Sequence, residues 1–337
     1  MDRTGNGNLF IKNAARVVTP TGYSALRGRS MSELTVLENG AVAVQDGVIR
    51  EVGPTADLAS RYGGRDFPVL DAAGKTVLPG FVDPHTHLVF AGERVQEFHS
   101  RLAGASYMSI LAHGGGILST VRATRAATEE ELFDAAMDRL QRMLSFGVTT
   151  VEAKSGYGLD RDTEIRQLRV LRDLSLAQPV EIAATFLGAH ARPPEYAGRT
   201  DRYIDFIGRE VLPLVVEQRL AEFCDVFCEN EVFPVDQART LLRRAGELGL
   251  GLKLHADEMA ASGGAELAAE MGAVSADHLL RVSDRGIRSI AESGVVGVLL
   301  PGTAFCLREP YARARAMIDD SCAVALATDF NPGTFFS

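Results

Sequence analysis

Tryptophan is absent from these 337 residues, cysteine occurs four times, and acidic side chains outnumber basic ones by 44 to 35. No apolar run approaches the roughly 18 residues that a membrane span requires. The missing tryptophan excludes no function. Four cysteines are too few for a disulfide framework in a chain this long. Cys224 and Cys228 sit in the β-type run Phe223-Cys224-Asp225-Val226-Phe227-Cys228, so they read as buried thiols rather than a metal knuckle. The net charge of −9 leaves no basic footprint for nucleic acid and repels an anionic membrane, so binding an anionic small molecule would fall to local arginines. Met1-Asp2-Arg3-Thr4-Gly5-Asn6-Gly7-Asn8 lacks the apolar centre of a signal peptide, and the expected location is the cytoplasm.

What is present is ample core material: 46% hydrophobic and 23% charged residues, as in an ordinary globular protein. Residues 1–77 alternate short β runs with turns (Leu9-Phe10-Ile11, Arg16-Val17-Val18, Gly40 to Val44, Gly47 to Gly53), with Asp46-Gly47 as a hairpin signal. They predict a small β domain rather than part of an α/β repeat. Residues 78–337 switch to apolar β segments alternating with helical stretches, the pattern of a parallel sheet built from βα units. The segments Phe81 to His87, Val148 to Ala153, Glu181 to Ala189, Glu222 to Cys228, Gly251 to His255, Val274 to His278, Val295 to Leu300 and Ala323 to Asp329 number eight, which closes a (β/α)8 barrel.

Helix signals support that count. Thr128-Glu129-Glu130-Glu131 is a capping box followed by Leu132, Ala136, Leu140 and Leu144, with Gly147 past the end. Asp162 and Asp236 are the expected caps of the next helices, which carry Ile165, Leu168, Leu171 and Leu174, and Ala238, Leu241, Leu242 and Ala245.

In such barrels the C-terminal strand ends carry the active site. Asp83-Pro84-His85-Thr86-His87 puts two imidazoles on one face of a strand. His190, His255, His278 and Asp329 fall at the ends of later strands, so five of the seven histidines lie on one rim. A single histidine there reads as a satisfied polar residue near the core; five together do not. His99 and His113 read as solvated loop residues. His85, His87, His255 and Asp329 offer three nitrogens and one oxygen, a set suited to one Zn²⁺ or Fe²⁺ with room for water. Glu258, three residues past His255, is placed as general base, although an acid in a first helical turn is the bland alternative. Asp257 is a candidate partner for a ligand histidine. Lys154 raises the question of a carbamylated bridge between two metals, but it follows the second strand, and the fourth ends in Cys228-Glu229 with no lysine. One metal, with Lys154 structural or electrostatic and Glu229 a rim acid, is the simpler reading.

The segments Leu78 to His87, Gly114-Gly115-Gly116-Ile117, Glu152-Ala153-Lys154-Ser155-Gly156-Tyr157-Gly158, Phe186 to His190, His255-Ala256-Asp257-Glu258, Ser275 to Leu279 and Thr328-Asp329-Phe330-Asn331-Pro332-Gly333-Thr334 together resemble the amidohydrolase superfamily and, within it, the imidazolonepropionase family of histidine degradation. The resemblance implies opening of the ring of 4-imidazolone-5-propanoate at its cyclic amide, giving N-formimidoyl-L-glutamate. It implies that Glu258 handles the proton of the attacking water, His278 polarises the carbonyl, and Asp329 holds metal and relays a proton. It also implies that Arg94 binds the propanoate carboxylate, that Tyr157 and His190 line the ring pocket, and that Asn331, Gly333 and Thr334 supply polar contacts. A single divalent or trivalent ion and a homodimer come with it. Without the resemblance, Tyr157 reads equally well as an aromatic lid between glycines. The run Gly114 to Gly116 reads as a connector, since the chain has no Gly-x-Ser-x-Gly elbow for a lipase-like loop.

The resemblance also implies that residues 1–77 are the first part of a composite β-sandwich: family members continue past Asn331-Pro332-Gly333-Thr334-Phe335-Phe336-Ser337 with a closing helix and strands that complete it, so an incomplete sandwich and a C-terminally truncated chain of reduced stability are expected. Two other readings stay open: a related hydrolase or deaminase acting on a cyclic amide, amidine or purine, and a truncated, non-catalytic metal-binding product.

Overall fold

The computed structural model describes residues 7–64, 66–104 and 115–334. His113 and Gly114, named above, lie outside them, as do residues 1–6 and 335–337. Two compact units divide between Gly80 and Phe81.

In the first unit β1 (Leu9–Pro20), β2 (Leu34–Gln45), β3 (Val48–Pro54), β4 (Val69–Asp71) and β5 (Thr76–Val77) form one five-stranded sheet. Alternation along β2 sets its two faces. Ala41 and Ala43 pack with Phe10 and with Leu58 of the helix Thr55–Tyr62, while Val42 joins Ala14, Val17 and Ala72 in a separate cluster. Asp46 (φ 54°) and Gly47 (φ 78°) make the tight turn that pairs Gln45 with Val48, as the Asp-Gly signal requires. The runs Leu9 to Ile11 and Arg16 to Val18 belong to one strand, β1. A bulge between Ile11 and Ala14, with Asn13 at φ 59°, mimics a turn in the sequence.

The second unit is the eight-stranded parallel barrel: β6 (Phe81–Thr86), β7 (Val148–Lys154), β8 (Glu181–Ala189), β9 (Phe223–Cys228), β10 (Gly251–Ala256), β11 (Ser275–His278), β12 (Val296–Leu299) and β13 (Ala323–Leu326), neighbours in sequential order. The ring closes just past β13, where Thr86 bridges Phe330, His87 N–H donates to Phe330 O at 2.8 Å and Asp329 N–H to His85 O at 3.1 Å. Closure therefore sets Asp329 directly beside His85 and His87.

The helix Glu129–Ser145 has the full capping box at Thr128 and Glu131. Its buried stripe is Leu132, Ala136, Leu140 and Met143, with Leu144 left 37% exposed. Steps of four residues advance 400°, so a strict i+4 row drifts off the buried face and a step of three restores it. The helix Arg161–Ala177 is capped by Asp160, whose Oδ1 accepts Thr163 N–H at 2.7 Å; Asp162 lies inside its first turn. Asp236 likewise sits inside the first turn of Val235–Glu247, which starts after Pro234. In both cases the acid meets the positive end of the helix dipole without capping it. Cys224 and Cys228 are buried and unbridged. His99 is exposed on the helix Val95–Leu102 rather than in a loop. Among the described residues no helix is long and apolar enough to cross a membrane.

Candidate metal centre and active site

β6 delivers His85 and His87, β10 delivers His255, β11 ends in His278, and Asp329 follows β13. All five side chains are buried. His278 (φ 77°) and Asp329 (φ 54°) hold left-handed backbone, an uncommon state for non-glycine residues that turns each side chain away from its strand's regular alternation. The donor atoms of His85, His87 and His255 lie within 4.8 Å of one another, and so do those of His85, His278 and Asp329. Asp329 Oδ1 is 3.4 Å from His87 Nε2 and 3.6 Å from His85 Nε2.

The arrangement fits a cation. His85 Nδ1 is 2.6 Å from Asp277 and His255 Nδ1 is 3.0 Å from Asp225, so each ring gives its N–H to a carboxylate. That leaves Nε2 of both rings buried with no protein partner, as are Nδ1 of His87 and both ring nitrogens of His278. Buried polar atoms without partners are costly, and a bound cation removes that cost. Both groupings share His85, which favours one ion over two.

Electrostatics agree for three of the rings. Burial, reinforced by Lys154, lowers the His85 pKa well below the usual imidazole value. Burial also pushes His87 down to about 4 and depresses His190. These rings are neutral donors at ordinary pH. His255 goes the other way: burial lowers it, but the Asp225 carboxylate more than compensates and raises its pKa. Burial alone would raise the Asp329 pKa, yet the hydrogen bond with His87 and the nearby His278 hold it below the usual carboxylate range. Thr303, from the short helix Pro301–Leu307, fixes the other oxygen of Asp329 through a 2.6 Å hydrogen bond.

Glu258 Oε2 is 3.6 Å from His278 Nε2, and burial raises its pKa. His190 stacks on His87 at 4.7 Å between centroids, and Tyr157 lies 5.3 Å from His190 and 5.7 Å from His87. Gly156, just before Tyr157, packs against His190: at φ 103° it comes so close to Leu187 O and His190 that a Cβ would sit at 2.9–3.0 Å. Arg94 donates through Nε to Glu97 at 2.9 Å, and Glu97 also accepts Gly116 N–H at 2.8 Å. The far end of the same guanidinium packs on Gly333, where a Cβ would lie 2.5 Å from Nη1. Asn331 serves the loop itself: its amide donates to Asp329 O and Thr334 Oγ1 and accepts from the backbone N–H of Gly333 and Thr334.

Some assignments move. Asp257 is not a partner of a ligand histidine: it accepts the N–H groups of Gly263, Gly264 and Ala265 at the start of the helix Gly264–Glu270. Its backbone is at φ 51°, outside the alternation that aims Lys253 and His255 inward. Glu229 accepts Met259 N–H and the Ser262 hydroxyl, pinning the loop after β10. The carboxylates that meet His255 and His85 are instead Asp225 and Asp277, which the sequence reading did not single out. Their one local signal is an acid at an inward position of an otherwise apolar strand.

Two family models match the chain: "Imidazolonepropionase-like composite domain, bacteria" over residues 40–64 and "Amidohydrolase family" over residues 68–110. An imidazolonepropionase of Clostridium tetani is 56% identical over 98% of this chain and 79% of its own length. One of Bacteroides thetaiotaomicron is 57% identical over 98% of this chain and 79% of its own length. Among solved structures, a triazine hydrolase variant superposes with a TM-score of 0.71 at 15% identity, covering 97% of this chain and 72% of its own. A zinc-bound adenosine deaminase of Xanthomonas campestris gives 0.61 at 21% identity, covering 96% and 69%. These two show the shared barrel fold alone. With more than half of its residues identical to theirs over nearly its whole length, the chain belongs to the imidazolonepropionase family of amidohydrolases.

Proposed function

We propose that this protein hydrolyses the cyclic amide of 4-imidazolone-5-propanoate to N-formimidoyl-L-glutamate in L-histidine degradation, using one Zn²⁺ or Fe²⁺ held by His85, His87, His255 and Asp329. The observation that carries the reading is the buried set of unpartnered imidazole nitrogens beside Asp329, in a chain of this family. Bound there, the ion supplies Lewis acidity, which lowers the pKa of water and draws charge from a carbonyl oxygen.

The chain's own groups do the rest. Glu258, with its raised pKa and its oxygen near His278, takes the proton from the attacking water. His278 Nε2 donates toward the ring carbonyl as negative charge gathers on it. The proton taken from the water is relayed through the Asp329 carboxylate to the departing ring nitrogen, so that none is left over, and Thr303 keeps that carboxylate in place. Arg94 meets the propanoate carboxylate with its terminal nitrogens while Glu97 holds its Nε. Tyr157 and His190 bound the planar ring, and Asn331 shapes the loop that presents Gly333 and Thr334.

The test is turnover of freshly prepared 4-imidazolone-5-propanoate by protein loaded with Zn²⁺ or Fe²⁺, followed by loss of ring absorbance against His255→Ala. Metal-dependent formation of N-formimidoyl-L-glutamate, absent in the variant, is the expected result. Ammonia release from a neutral cyclic amidine, without imidazolonepropanoate turnover, would reassign the protein to a deaminase.

A further inference from the structure

Beneath the metal site the barrel is filled by charge. Glu152 and Lys154 of β7, Asp225 of β9, Lys253 of β10 and Asp277 of β11 are all buried. Lys154 Nζ lies 2.8 Å from Asp225 Oδ2, 2.8 Å from Glu152 Oε1 and 3.7 Å from Asp277 Oδ2. Two of these carboxylates are the ones that receive the Nδ1–H groups of His255 and His85. One ammonium, fully enclosed, thus joins the supports of two ligands that come from opposite parts of the strand order.

We propose that Lys154 is a positioning residue for the metal centre: by holding Asp225 and Asp277 together it fixes both rings with Nε2 turned to the ion. The inference rests on the metal site proposed above but needs no assumption about the substrate. Burial works against a charged lysine, but Asp225, Glu152 and Asp277 together outweigh it and keep the ammonium charged. Lys253 cannot replace it, because it reaches Ser275 at 2.6 Å and Asp277 at 3.6 Å on that side only. Glu152 shares its Oε1 between Lys154 and the Thr185 hydroxyl, so it serves as counter-charge.

The geometry makes a prediction opposite in sign to a simple charge effect. An ammonium close to a cation repels it, so if charge alone mattered, removing Lys154 would tighten metal binding. If Lys154 positions the ligands, removing it weakens binding. The variant Glu152→Gln/Lys154→Met deletes one charge of each sign, leaves Asp225 and Asp277 intact, and keeps the net charge of the buried cluster unchanged. Metal affinity, measured by competition with a chelator, is expected to fall about ten- to a hundredfold, the usual cost of losing a ligand's support. The visible spectrum of the Co²⁺-loaded protein should change, and kcat should fall more than KM rises. A folded variant with unchanged or tighter metal binding and the parental Co²⁺ spectrum overturns the proposal, whatever the substrate proves to be. If the double variant does not fold, Lys154→Gln, whose shorter amide cannot span both aspartates, is judged by the same affinity and spectrum.

Discussion

At the scale of the residue, Glu258 and Arg94 separate chemistry from binding. Among the described residues the charged partner of Glu258 is His278, at 3.6 Å, so Glu258→Gln keeps the size of the side chain while removing the base. Turnover should drop by about 10²–10⁴ with metal content unchanged by elemental analysis; full activity would remove Glu258 from the proton transfer. Arg94→Gln should act through KM, raised about tenfold or more with kcat little altered, because a charged hydrogen bond to the substrate contributes roughly 1.5–3 kcal/mol. A fall in kcat at constant KM would argue against carboxylate binding by Arg94. At this scale the sequence was informative where a polar residue interrupts an apolar run at a strand end, as at His85, His87, His255 and His278. It was mute on pairing. Nothing near Asp277 in the chain says that it meets His85, which lies 192 positions away, and proximity in sequence suggested Asp257 instead.

Single elements show what local rules capture. The Thr128 cap was readable because its partners lie within one helical turn. Thr128→Ala should cost about 1 kcal/mol in denaturant unfolding and leave activity intact, since the cap is exposed and far in sequence from any ligand. The loop after β7 behaves differently. Glu164, buried in the helix Arg161–Ala177, accepts the N–H groups of Gly156, Gly158 and Leu159, and Gln167 accepts that of Tyr157. Glu164→Ala leaves three enclosed amides unsatisfied; stability should fall by about 1–3 kcal/mol, and KM should rise as Tyr157 and His190 loosen. A melting curve and KM both matching the parent would show that the loop holds its own shape. The sequence marks this loop by its glycines, yet the acid that shapes it looks like any other first-turn helix acid.

On the scale of the whole molecule, metal and fold are linked. The four proposed ligands come from β6, β10 and the segment after β13, so an ion bound to them would tie the first barrel strand to the last. Because the unfolded chain cannot assemble that set, stripping the ion with a chelator should lower the melting temperature. Zn²⁺ or Fe²⁺ at about a hundred times its Kd should restore about 2.7 kcal/mol, together with activity. A melting curve indifferent to chelator would remove the metal from the stability of the fold.

The number of barrel strands and the polar residues that gather at their C-terminal ends could be read along the chain, because periodicity, turn residues and polar interruptions are local properties of a polymer. Which acid supports which histidine, why Lys154 is buried, and where Thr303 meets Asp329 depend on barrel closure. Closure brings together side chains that sequence separation leaves unrelated, and the cost of burying charge then admits only arrangements in which every charge finds its counterpart.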